Sequence, residues 1–476
     1  MLLILKEILL NSMFYCKKNS EKGFSRIALT LSLPFIIIAI AYVVYKLFFI
    51  PDPVVSGIEA FELLPADKTV IFKGENVNSL DISIFQDGKL VNLLQDKPEV
   101  SEKTYNLQVK PKELMLHDGS AVIIINAKAG VLKEVKYEFK TLIDTDPPAI
   151  EIIKAPHYIY QGSGGFALLR ARGADAVYIK QGNKKFRAFE YLPETDLYSD
   201  SFQEFGAAPE TAQKGYKKNA VKIYTVFFPA AYDITDKNIF YAVAADKAGN
   251  QKIKALRIKT RTKKYTTSSI QIDDSFIRTV VSPLLNETSI SDVEGAFRKI
   301  NEGWREKDNK KILEITQDTS HEILWEGRFL QMRNSKVMAT YGDRRTYIYN
   351  DKEISKSIHL GYDLASFANA PVEAANSGIV KFAGDLGIYG NAIIIDHGQG
   401  LMSLYGHLSM LMVDKGQTVA KGDIIAKTGS SGFAGGDHLH FGILIHGYAV
   451  SPLYWWDRNW VKINIFDRLD TYTTRH

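Results

Sequence analysis

Cysteine is nearly absent from this chain: Cys16 is the only one among 476 residues. No intrachain disulfide can form and no cysteine-built metal module can exist, so any metal site must use histidine and carboxylate side chains. Cys16 also lacks the small preceding residues of a lipidation signal, since Met13-Phe14-Tyr15 stand before it, and a free thiol is the expectation. The excess of one charge over the other is small too. Lys and Arg number 59 against 54 Asp and Glu, a formal net charge of +5. With no dense basic stripe interleaved with aromatics, the sequence gives no case for a nucleic-acid partner. There is no Gly-x-Ser-x-Gly elbow and no Gly-x-x-x-x-Gly-Lys loop, which disfavours serine-hydrolase and nucleotide chemistry. Apolar residues at 46% and charged residues at 24% are ordinary for a globular protein, and this length suits two to four domains.

One long hydrophobic run is present. Residues 27–50 are almost wholly apolar, broken mainly by Pro34 and Lys46. A membrane-spanning helix needs about 20 such residues, whereas the apolar part of a cleavable signal is roughly 7–15 residues long and ends in a small-residue site. No such site follows, so the run is expected to be an uncleaved anchor. Lys6, Lys17, Lys18, Lys22 and Arg26 precede it, and after Lys46 the next basic residue is Lys68. Positive-inside logic then keeps residues 1–26 in the cytoplasm and everything from about Pro51 onward outside it. The expected location is the cytoplasmic (inner) membrane, single-pass, with the rest of the chain in the periplasm or on the outer face.

From Pro51 to about Thr262, short β-branched and aromatic runs such as Ala121–Ile125 and Ile223–Phe228 alternate with Gly, Asp, Asn and Pro turns, the pattern of antiparallel β-domains. An internal repeat points to two copies: Lys128-Ala-Gly130 aligns with Lys247-Ala-Gly249, and in the same register Phe139-Lys-Thr141 with Ile258-Lys-Thr260. Asp144-Thr-Asp-Pro-Pro148 lies between them and reads as a linker. The expectation is two immunoglobulin-like β-sandwiches, 51–146 and 147–262, acting as a spacer. Binding of the wall or of envelope proteins through them stays open. Residues 263–328 change to helical periodicity. Ser291-Asp-Val-Glu294 has the form of a capping box, and Val293, Ala296, Phe297, Ile300 and Trp304 recur at three- and four-residue steps. A helical connector is expected there, with a lid over a site as the alternative.

The chemistry lies in residues 329–476. His359-Leu-Gly-Tyr-Asp363 and His438-Leu-His440 each hold two candidate ligands at even separation, which on a strand share a face. A catalytic zinc typically takes three nitrogen or oxygen protein ligands and keeps a position open for water. His359, Asp363 and one histidine of the second pair supply such a set. His321-Glu322 does not form a zincin helix, because Trp325 stands where the second histidine is needed. His397 is expected to be structural, and His446 to be a surface residue.

Residues from about Arg333 to Trp456 resemble the lysostaphin/LytM-type zinc peptidases, which act on bacterial peptidoglycan. The resemblance runs through Tyr341-Gly-Asp-Arg-Arg345, His359-x-x-x-Asp363, Pro371-Val372, Gly378-Ile-Val380, Tyr389-Gly-Asn391, Asp396-His-Gly398, Tyr405-Gly-His-Leu408, Gly416-Gln-Thr-Val419, Gly422, Gly429 and His438-Leu-His-Phe441. It covers roughly the last quarter of the chain and implies a mainly antiparallel β catalytic domain. It also implies Zn2+ held by His359, Asp363 and His440, with His407 and His438 as non-ligand catalytic histidines. The implied activity is endopeptidase cleavage of peptidoglycan peptide stems. A degenerate or autoinhibited scaffold, acting as an activator of another wall hydrolase, is the alternative. A third is an adhesive β-domain protein with an accessory hydrolase. All five positions carry the expected residue types, which favours the active enzyme.

Overall fold

The computed structural model describes residues 37–45, 50–130, 133–191, 220–235 and 237–473. The chain is mainly β. Most of the expected anchor, with Cys16 and the basic residues before it, lies outside the described residues. Within the run, residues 37–45 are helical and their side chains are exposed. Among the described residues no helix is long and apolar enough to cross a membrane. The chain divides into two compact units between Asp146 and Pro147, where the consecutive prolines remove two ladder donors.

In the first unit a three-stranded and a five-stranded sheet enclose one core. The strand Ser79–Gln86 shows the logic. Leu80, Ile82 and Ile84 alternate with half-exposed polar residues, so one face is buried and the other is not. Its hairpin to Lys89–Asp96 turns on Asp87-Gly88, both at positive φ (48° and 81°), the conformation that Asp-Gly supplies in two-residue turns. The repeat noted in the sequence marks equivalent features in the two units. Lys128 and Ala129 end a strand that pairs with Lys133–Ile143, and Lys247-Ala-Gly249 forms the turn between Phe240–Ala245 and Gln251–Leu256. The exit segment of each copy makes a parallel pairing with an earlier strand, Leu63 with Leu142 and Tyr158 with Lys259.

The second unit begins with two four-stranded sheets, over residues 149–256, and continues into an eight-stranded antiparallel sheet. The sandwich is no detached spacer. Its strands Gly164–Arg172 and Val221–Pro229 are buried on both faces. Ala167, Leu169, Val226 and Phe228 fill the sandwich's own core. Phe166, Leu168, Ile223 and Phe227 join Trp325, Phe329 and Trp455 in the core of the larger sheet. The near-continuous apolar runs Gly164–Leu169 and Val226–Pro229 are the sequence trace of this double burial.

The large sheet runs Lys336–Ala339, Tyr362–Ala365, Leu439–Ile445, Leu401–Leu408, Asn391–Asp396, Gly378–Asp385, Thr418–Val419, with Tyr448–Val450 added beside Leu439–Ile445. The aromatic core and the sandwich cover one face. Helical residues 274–285 and 293–315 cover part of the other, where Ile277, Val281, Phe297, Ile300 and Ile312 pack on Ile394, Met402, Leu404 and Leu444. The expected apolar stripe of this helical segment is the one that packs. Its cap differs from the expectation: Asp292, not Ser291, caps the helix that starts at Val293, its carboxylate accepting from Gly295 N. Asp292 places its oxygen within reach of the third following amide, the geometry an N-cap needs.

Candidate metal centre

Asp363 and His440 oppose each other on neighbouring strands of the large sheet. Directly opposed side chains rise from the same face, here the face that carries the helices. His359 sits one turn ahead of Asp363, and its backbone is fixed on both sides: Gly342 N donates to His359 O and His359 N donates to Asp343 O. The side chains converge. His359 Nε2 lies 2.9 Å from Asp363 Oδ1 and 3.1 Å from His440 Nδ1, and those last two are 3.0 Å apart. All three residues are buried.

This triangle fits a cation. His359 Nδ1 donates to Thr340 O at 3.0 Å, so in the neutral ring Nε2 carries only a lone pair. That lone pair faces a carboxylate oxygen, and two acceptors at 2.9 Å repel unless a positive charge lies between them. The edges of about 3 Å are close to the ~3.3 Å between ligand atoms of a tetrahedral ion with bonds of about 2.0–2.1 Å. The charge state agrees: although burial opposes it, His359 and His440 hold the Asp363 carboxyl well below the usual carboxylate range. Burial, against the pull of the Asp363 hydrogen bond, lowers His440 to about 4, which keeps it neutral and able to ligate.

Beyond the triangle stand the other two candidate histidines. His438 Nε2 is 3.6 Å from Asp363 Oδ1, and its Nδ1 donates to Gly436 O. The His407 and His438 rings are 4.7 Å apart, and His407 Nδ1 donates to Ser431 O at 2.8 Å. Each ring therefore has its Nδ1 tied to a backbone carbonyl and its Nε2 left for the site. His407 reaches this place by a backbone departure. Gly406 is the residue opposite His440, so strict alternation would send His407 to the other face. Its φ of 61° and the register shift between this strand and Asn391–Asp396 turn it back, as bulges re-aim a side chain. Burial first, then the neighbouring His438 and His440, lower His407 to about 3.

The structure adds Arg345, for which no role was readable from its neighbours in the chain. Its Nη2 donates to Asp363 Oδ2 at 3.0 Å and its Nε to Asp343 Oδ2 at 3.3 Å. The guanidinium thus holds the carboxylate oxygen that does not face the two histidines. Tyr389 packs on His440 with ring centres 5.3 Å apart.

His397 is structural, as expected: it is fully buried, its Nδ1 donates to Ser377 O, and its Nε2 lies 2.8 Å from Ser403 Oγ. His446 is not a surface residue. The second sandwich covers that end of the sheet, and the ring packs against Phe186 and Phe189 at 5.9 and 6.4 Å.

Comparison with known proteins agrees with the geometry. Residues 357–452 match the model of Peptidase family M23. Over 96 residues the chain is 40% identical to the DD-carboxypeptidase/endopeptidase Mpg of Neisseria meningitidis serogroup B, covering 20% of this chain and 22% of that protein. Over 95 residues it is 35% identical to the peptidoglycan DD-endopeptidase ShyA of Vibrio cholerae serotype O1, again 20% and 22%. The catalytic domain of lysostaphin from Staphylococcus simulans is 29% identical over 27% of this chain and 96% of that one, with a TM-score of 0.23. The chain thus spans about a fifth of these curated relatives' length, and the family match over 357–452 holds every residue of the triangle, together with His407 and His438. Residues 357–452 are a Peptidase family M23 domain.

Proposed function

We propose that this chain is a membrane-anchored zinc metalloendopeptidase that opens the peptide cross-links of bacterial peptidoglycan. The observation that carries this reading is the convergence of His359 Nε2, Asp363 Oδ1 and His440 Nδ1 within 3.1 Å of one another. Two imidazoles and one carboxylate are a donor set suited to zinc. When bound there, zinc supplies Lewis acidity, lowering the pKa of a bound water towards about 7 and polarising a carbonyl.

The chain's own residues do the rest. Arg345 fixes the outer oxygen of Asp363 and so the direction of the inner one. His407 and His438 present Nε2 towards the triangle, each oriented through Nδ1. In the neutral form that nitrogen accepts a proton from the attacking water; in the protonated form it donates to the departing amine or steadies the developing oxyanion. The names of the relatives, a peptidoglycan DD-endopeptidase among them, support stem peptides as substrate. The exposed apolar side chains of residues 37–45 and the basic residues ahead of them support an anchor with the catalytic unit beyond the cytoplasmic membrane.

Mass analysis of cross-linked muropeptides after digestion with the purified full chain tests this reading. Dimers should fall to monomers, and a chelator should stop the conversion. Dimers left intact by the metal-loaded chain would remove the enzyme reading in favour of a scaffold.

A further inference from the structure

We propose that a cavity beside His440 seats one peptide arm of the substrate, and that Lys184 and Asp233 select an arm carrying an ammonium and a carboxylate on one residue. This rests on the reading of the chain as a peptide hydrolase. The cavity measures ≈ 230 Å³ and extends from His440 along the metal-bearing face of the sheet, over Gly442 and Leu444. Of the triangle's residues His440 lines it, so the cavity adjoins the candidate metal centre on the His440 side. Gly442 leaves the room. A Cβ there would meet nothing closer than Leu404 Cβ at 3.6 Å, an ordinary contact, so packing does not demand glycine at this position, and a longer side chain would enter the cavity.

Part of the wall comes from outside the matched domain. Asn309 and Leu313 belong to the helix Arg305–Ile315, while Lys184 and Asp233 belong to the second sandwich. Residues 357–452 carry the metal ligands; the helices and sandwich enclose the space next to them. A volume somewhat below the ~300–1,000 Å³ of sites for drug-sized ligands suits one or two residues of a peptide. Apolar Leu313 and Leu444 suit an alkyl chain. Lys184 holds its ammonium 4.4 Å from the Tyr448 ring centre, and Asp233 is exposed and makes no ion pair among the described residues. Two opposite charges on one wall favour a ligand end that bears both signs, and disfavour an end that bears one.

Calorimetric titration of the full chain tests this with two probes. One is a free tetrapeptide stem containing diaminopimelate. The other is the same peptide with lysine in its place, which lacks the side-chain carboxylate. The wild type should bind the first at least about tenfold more tightly, a difference of about 1.4 kcal/mol. Lys184→Glu should abolish that preference, and Leu313→Trp should weaken both peptides about tenfold or more, with metal content unchanged. Equal binding of the two peptides by the wild type, or unchanged binding in Lys184→Glu, overturns the proposal. Lys184 lies at the surface, so its variant decides the matter even where Leu313→Trp fails to fold. Cleavage of cross-linked dimers is scored separately, and a chain that shows this preference yet cuts nothing contradicts the hydrolase reading alone.

Discussion

Asp363 and His440 are direct partners across two antiparallel strands, with Asp363 Oδ1 3.0 Å from His440 Nδ1. The sheet register itself brings two segments 77 residues apart to one point. A one-residue slip would turn one of these side chains to the opposite face. Asp363 and His440 are therefore held as rigidly as the sheet that bears them, and their remaining freedom lies in side-chain orientation.

Arg345 governs that freedom on the carboxylate side. Arg345→Ala should free Asp363 Oδ2 and lower metal affinity about 10- to 100-fold, the usual effect of losing a partner of a ligand. Competition with a chromophoric chelator reads this directly. Arg345→Lys should recover only part of it, because an ammonium cannot span Asp343 and Asp363 as the guanidinium fork does.

Acid should destabilise the second unit through its buried histidines. Burial lowers His397 and His446 to about 4 from the ordinary 6.5. Between pH 6.5 and 4 the unfolded chain therefore binds more protons than the folded one, and stability falls as pH falls. Nothing is lost above about 6.5, and the loss is complete near 4, at about 3 kcal/mol for His397. Denaturant midpoints across this range, with His397→Gln as control, should show a shallower pH slope in the variant.

The sandwich and the catalytic sheet should unfold together. Phe227 is 1% exposed and packs on Trp325 and Trp455. Phe227→Ala should cost about 3–5 kcal/mol and lower one shared thermal transition of residues 147–476. A fragment starting near residue 264 would bare Trp325, Phe329 and Trp455 and should be poorly soluble. Two separate transitions would show that the two parts fold independently.

Much of the site was legible because its chemistry is local. His-x-x-x-Asp and His-x-His carry their own geometry on strands, and the resemblance supplied the choice between His438 and His440. His407 was legible only through the resemblance, since its place depends on a positive φ that spacing does not encode. Arg345 acts through a contact with a residue 18 positions away, and no short motif states that. The β-runs of the second sandwich were legible as strands. That they are buried on both faces follows from what packs on them, Trp325, Phe329 and Trp455, which lie in distant segments. Likewise, the helical stripe was readable, but not that it lands on the face that carries Asp363 and His440.

The most direct measurement is the metal content of two single variants, His440→Ala and His438→Ala, purified alongside the wild type. Ligation by His440 and not His438 predicts one zinc per wild-type chain, almost none in His440→Ala, and one in His438→Ala with cleavage of cross-linked muropeptides lost. A metal-free His438→Ala beside a metal-loaded His440→Ala would contradict it.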